Sequence, residues 1–184
     1  MAEDHHAPEP IVDPVREAAL DDVRQYGDPV LHSPARPVSR FDEALRRLLA
    51  RMERTMIDSR GVGVAAPQIG IPRRLLVYRV DDDSPVHAMA NPVILDRGEV
   101  TEPFTEGCLS VGRASVWLDV VRPRAITVRF QDADGVDQER AFEGFEARVL
   151  QHEIDHLEGT VIVDRVSADD RRRALRALGR SGGL

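Results

Sequence analysis

From residue 42 to residue 59 the apolar side chains fall on one side of a helix. Leu45, Leu48, Leu49, Met52 and Met56 recur at i, i+3, i+4, i+7 and i+11, while Arg46, Arg47, Glu53 and Arg54 take the opposite, solvated face. Asp13-Pro14 sets an N-cap before a proline at the first helical position, which predicts a short helix over 14–25. Tyr26-Gly27-Asp28-Pro29 marks a turn, and Pro34 and Pro37 keep the following segment extended. Residues 74–80 and 89–96 read as strands on either side of an acidic turn at 81–85. Residues 116–121, 125–130 and 136–142 read as three more, the last two joined by the hairpin turn Asp132-Ala133-Asp134-Gly135. Residues 143–157 are helical again and stop at Gly159. Residues 160–164 read as a last short strand, and Ser167-Ala168-Asp169-Asp170 caps a final helix through Leu178. These elements predict an α+β domain: mostly antiparallel sheets packed around a central helix, with an N-terminal helix and a C-terminal helix.

Composition narrows the class. A chain of 184 residues, 42% of them hydrophobic, suits one domain with tails, and with aromatics at 4% its core must be filled by Leu, Val and Ala. No apolar run approaches the length of a membrane span, and Met1-Ala2-Glu3-Asp4-His5-His6 lacks the basic and apolar regions of a secretory signal, so a cytoplasmic protein is expected. The net charge of −7 is concentrated in residues 1–22, where seven acids face Arg16 alone. Every basic residue is Arg, a bias that carries no functional reading. Residues 1–12, rich in Pro, His and acids, are expected to be disordered, with His5-His6 in a solvated tail. The division expected is an acidic, partly disordered extension at 1–22, a main domain at 23–167, and a basic helix and tail at 168–184.

Candidate chemistry sits in three segments. His152-Glu153-Ile154-Asp155-His156 puts two imidazoles at i and i+4 on one helix face with a carboxylate beside the first. That spacing suits a divalent metal whose bound water gives its proton to Glu153; the plain alternative is a surface helix with two chance histidines. A catalytic metal usually keeps three protein ligands and one open position. After His156 come only Glu158, Asp164, Asp169 and Asp170 as acids, and no His or Cys, so the third ligand is expected upstream. Glu106-Gly107-Cys108-Leu109-Ser110 carries the chain's single cysteine, which excludes an intramolecular disulfide and agrees with a reducing compartment. Cys108 reads as that ligand, as a nucleophile activated by a histidine, or as a buried small hydrophobe. Gly61-Val62-Gly63-Val64-Ala65-Ala66-Pro67-Gln68 is either a helix-to-strand connection with small packing residues or a substrate-binding edge with the Gln68 amide aimed at a developing oxyanion.

Taken together and in this order, the three segments resemble the signature motifs of peptide deformylase, the hydrolase that removes the formyl group from the N-terminal methionine of new bacterial proteins. The layout is similar from about residue 25 to residue 167; the acidic extension lies outside it. The resemblance implies that Cys108, His152 and His156 bind one divalent metal, typically Fe²⁺ with Zn²⁺ or Ni²⁺ able to replace it. It implies that Glu153 is the general acid/base and that Gln68 and the Leu109 backbone N–H hold the oxyanion. Gly63, between Val62 and Val64, would lie on the edge that pairs with the substrate backbone. Val62, Phe104, Glu106, Gly107, Phe145, Val149 and His152 would contact substrate around the methionine side chain. Partners implied are formyl-Met peptides and nascent chains, with the ribosome reached through the final helix and its Arg171, Arg172, Arg173 and Arg176; no membrane and no sequence-specific nucleic acid is implied. The chain departs from the pattern at Gly112-Arg113, where the family often has proline, and in a longer stretch at 113–121. Which of Arg113, Arg122 or Arg124 meets the substrate backbone is therefore open. Two other readings stand beside this one: a general H-E-x-x-H metalloprotease, and a non-catalytic metal- or peptide-binding module of the same fold.

Overall fold

The computed structural model describes residues 13–180. The tail at 1–12, His5-His6 included, lies outside the described residues. Helix α1 (Pro14–Asp21) starts as its sequence predicts, with the Asp13 carboxylate accepting from the Val15 and Arg16 N–H groups, but stops four residues short of the expected end. It buries Leu20, so this half of the acidic extension packs into the folded unit. Helix α2 (Glu43–Asp58) is capped by Asp42, and Leu45, Met52 and Met56 are buried as their spacing demands.

Seven strands follow: β1 (Gly63–Ala65), β2 (Leu75–Tyr78), β3 (His87–Arg97), β4 (Thr101–Gly107), β5 (Trp117–Pro123), β6 (Ala125–Gln131) and β7 (Asp137–Glu143). Five of them form an antiparallel sheet in the order β1-β2-β3-β6-β7, and β4 and β5 form a separate two-stranded antiparallel sheet. In β2 the period of two decides the layers. Leu75 and Val77 join α1 and α2 on one face, and Leu76 and Tyr78 join Ala147, Leu150, Ile154 and Leu157 of helix α3 (Gly144–Leu157) on the other. The motif helix thus lies under the large sheet, as expected of a central helix. A third apolar cluster joins Cys108, Val116 and Val120 to Ala174 and Leu178 of helix α4 (Ala168–Arg180).

Two elements differ from expectation. Residues 101–107, to which the sequence pattern assigns no element, are the strand β4; a proline and two glutamates among them hide it. The strand expected at 160–164 is a 3₁₀ turn, Ile162–Asp164, closed by the Asp164 carboxylate on the Val161 N–H at 3.1 Å. Val161, Ile162 and Val163 are all buried, so burial without alternation mimics a strand. Among the described residues no helix is long and apolar enough to cross a membrane.

Candidate metal and hydrolytic site

The three residues expected to hold a metal come together from two elements. Consecutive turns of α3 present His152 and His156 with ring centroids 5.2 Å apart. Cys108, just past the end of β4, places its Sγ 3.3 Å from His156 Nε2. One ligand atom from each of the three lies within 4.8 Å of the others. The turn after β4 aims the thiol: Val111 and Ala114 N–H both donate to the Cys108 carbonyl, at 3.0 and 3.1 Å. The chain following α1 braces this turn, with Gln25 Nε2 donating to the Leu109 carbonyl at 3.1 Å and Tyr26 N–H to the Ser110 carbonyl at 2.7 Å.

A buried ionic network orients the histidine. His152 Nδ1 meets Glu106 Oε2 at 3.0 Å, which leaves Nε2 for a ligand. Glu106 also accepts from Arg122 at 2.7 and 3.0 Å and from Arg148 at 2.8 Å. Burial alone would raise the Glu106 carboxyl, but hydrogen bonds from His152 and Arg122 hold it well below the usual carboxylate range. Burial works against a charged His152 too, and contacts with Cys108 and Glu106 outweigh it, so its pKa stands well above the ordinary value. His156 goes the other way: burial, then the neighbouring His152 charge, push it well down, and its neutral ring is the form that ligates.

Glu153 is 3% exposed, and burial pushes its carboxyl up to about 7. Its Oε2 and His156 Nδ1 are the two buried side-chain polar atoms without a hydrogen-bond partner among the described residues. The other oxygen packs against Gly63, where a Cβ would stand 2.5 Å from Oε1; only glycine leaves room for the carboxylate. Gln68 is oriented by its own turn. Its Oε1 accepts from Ala65 N–H at 2.8 Å, so Nε2 faces Ser110 Oγ at 3.3 Å and Cys108 Sγ at 4.0 Å.

These groups open into a cavity of about 280 Å³. Val62, Gly63, Gln68, Phe104, Glu106, Gly107, Cys108, Leu109, Phe145, Val149, His152 and Glu153 all line it. Val64, expected beside them, instead buries its side chain in the α2 core. None of Arg113, Arg122 and Arg124 lines the cavity. Arg122 is buried between Glu106 and Asp155, Arg113 is paired with Glu17 and Asp21, and Arg124 is exposed with its N–H on the Val100 carbonyl. The arginines that do line it, Arg60 and Arg148, escaped the sequence reading, as did Trp117. Arg148 stands one turn before His152, so its presence on that face was available from spacing; its guanidinium lies 5.3 Å from the Phe104 ring centroid.

The family model for polypeptide deformylase matches residues 20–172. A peptide deformylase of Thermotoga neapolitana is 46% identical over 149 residues, covering 81% of this chain and 88% of that one. One of a Synechocystis strain is 43% identical over 148 residues, covering 79% and 78%. Among solved structures, the peptide deformylase of Legionella pneumophila aligns with a TM-score of 0.81 at 40% identity, over 86% of this chain and 92% of that one. That of Synechococcus elongatus, solved with actinonin, aligns with a TM-score of 0.81 at 39% identity over 88% of each.

Proposed function

The chain belongs to the polypeptide deformylase family, and from that premise we propose that it is a metal-dependent hydrolase. It removes the formyl group from the N-terminal formylmethionine of newly synthesised proteins and releases formate. The observation that carries this reading is the meeting of Cys108, His152 and His156 beside the unpartnered carboxylate oxygen of Glu153. A thiolate and two imidazoles make a three-ligand set of the catalytic type, with a position left open. Fe²⁺ is the ion we assign to it, and Zn²⁺ or Ni²⁺ suit the same donors.

A divalent cation held there supplies Lewis acidity toward a water and the formyl oxygen. Glu153 takes the water's proton and returns it to the leaving amine as the C–N bond breaks, a task suited to a carboxyl poised near neutrality. Gln68 Nε2 and the Leu109 N–H donate to the oxyanion that forms at the formyl carbon. β1 is the edge strand of its sheet, so the substrate backbone adds alongside Val62, Gly63 and Val64. The methionine side chain fills the cavity against Phe104, Phe145 and Val149, with Gly107 at its wall. Glu106 acts through His152, whose ring it fixes. We place the catalytic unit at 23–167 in the cytoplasm, working on nascent chains, with the exposed arginines of α4 turned to the ribosome.

The test is anaerobic purification, metal analysis and formate release from formyl-Met-Ala-Ser. One metal per chain is expected, with turnover lost on chelation and restored by Fe²⁺, Zn²⁺ or Ni²⁺. Bound metal without formate release would favour a non-catalytic module, and casein cleavage without deformylation a general metalloprotease.

A further inference from the structure

We propose that Trp117 reads the residue that follows formylmethionine and favours a basic side chain there, Arg or Lys. The proposal rests on the substrate assignment above and extends it by one residue.

The two-stranded sheet has two faces, and side chains alternate between them. Phe104 and Glu106 of β4 share one face and line the methionine cavity, which Thr105 and Gly107 of the other face also border. Gly107 falls on the opposite face, directly across from Trp117, and Thr105 and Asp119 make the next pair but one along the ribbon, on that same face. The indole is laid over Gly107: a Cβ on that residue would stand 3.0 Å from the ring. Trp117 is 63% exposed and nevertheless walls the cavity. A large ring open to solvent at the rim of a binding site is available for a ligand.

An extended substrate lying between β1 and Gly107 alternates in the same way. With the methionine side chain turned in toward Phe104 and Phe145, the next side chain turns to the other side, which is the side Trp117 occupies. An indole face is the best aromatic platform for a guanidinium or ammonium. The charge beside it has the complementary sign. The depression bordered by Trp117 carries Asp119, Asp170 and Arg173, and Arg173 is paired with Asp170, so negative charge is in excess. Asp119 accepts from the Thr105 hydroxyl at 2.5 Å, which fixes its carboxylate beside the indole. Both arginines that line the methionine cavity are paired, Arg60 with Asp13 at 2.6 Å and Arg148 with Glu106 at 2.8 Å.

Trp117 is the only tryptophan of the chain, so its emission reports the subsite directly. Zinc-loaded protein titrated with Met-Arg-Ser, Met-Ala-Ser and Met-Glu-Ser is expected to change indole fluorescence most tightly with the first, at about one tenth of the concentration needed for the last. The kcat/KM values of the formylated peptides are expected in the same order. In Trp117→Ala the Arg-over-Glu ratio of kcat/KM falls toward one, whatever the absolute rates; Asp119→Asn lowers that ratio with the indole in place. Equal responses to all three peptides, or an undiminished ratio in Trp117→Ala, would overturn the proposal. A protein that hydrolyses none of the peptides would refute the enzyme reading instead, and the fluorescence order would still decide the subsite.

Discussion

Two buried glutamates flank His152, and their surroundings give them opposite characters. Glu106 is surrounded by Arg122, Arg148 and His152 and is held charged. Glu153 has an unpartnered oxygen, and burial pushes it up to about 7. One carboxylate is a fixed charge that orients a ligand; the other can carry a proton back and forth, and the separation of the two follows from environment alone. Glu153→Gln keeps the side chain's shape and all three ligand atoms. It is therefore expected to retain one metal per chain while kcat falls by about 10²–10⁴. The base works as a carboxylate, so the wild-type rate should rise with pH through the Glu153 pKa, which burial raises and a bound cation draws back down. The variant's residual rate should lack that acid limb. Metal analysis and a pH–rate profile check both, and a variant with wild-type kcat would remove Glu153 from the proton transfer.

At the scale of elements, the sequence was most legible where one segment supplies its own constraint. α2 and α3 declare themselves by period and by caps or stops, and the His152–His156 spacing is a demand of helix geometry. β1 and β4 do not declare themselves. β1 has three residues, all buried, and no alternation to read. β4 buries one residue of seven and exists because β5 pairs with it from Gly107↔Trp117 to Thr101↔Pro123. The same reasoning explains why Trp117 went unseen: its place in the site is fixed by register with Gly107, a long-range fact. The substrate arginine sought among Arg113, Arg122 and Arg124 was illegible for the same cause, since the partners that occupy Arg122 and Arg113 come from β4, α3 and α1. α4 forms where its cap predicts, and it is amphipathic. Ala174 and Leu178 are buried, and Arg171, Arg172, Arg173 and Arg176 are exposed. Three of these pair with Asp164, Asp169 and Asp170, which cuts the basic excess of the face. Reversing Arg172 and Arg176 to Glu is expected to weaken co-sedimentation with ribosomes at low salt and to leave formyl-Met-Ala-Ser hydrolysis unchanged. Unaltered co-sedimentation would remove α4 from the contact.

At the scale of the molecule, one ionic network ties the catalytic layer together. Glu106 of β4, Arg122 of β5, Arg148, His152 and Asp155 of α3 and Arg165 beyond it form a chain of charge-assisted bonds. It pins the small sheet, and with it Cys108, to the helix that carries both histidines. Removing one partner of such a network leaves a buried charge uncompensated, at a cost of about 3–5 kcal/mol. Glu106→Gln does this to Arg122 and Arg148 with almost no change of volume. The sign of its pH dependence follows from the native carboxyl lying below its ordinary value near 4.5. Such a group contributes stability in full above the unfolded pKa and loses it as pH falls through that value toward the native one. Metal-free wild-type protein should therefore lose stability on acidification more steeply than metal-free Glu106→Gln, and the gap between them, widest at neutral pH, should narrow as pH falls below about 4.5. Parallel curves from about pH 7 to about pH 3 in denaturant unfolding would mean that folding does not depress this carboxyl. Because the same carboxylate holds the His152 ring, the variant should also bind its metal about 10–100-fold more weakly; a loss of stability with unchanged metal affinity would separate the strut from the ligand it orients.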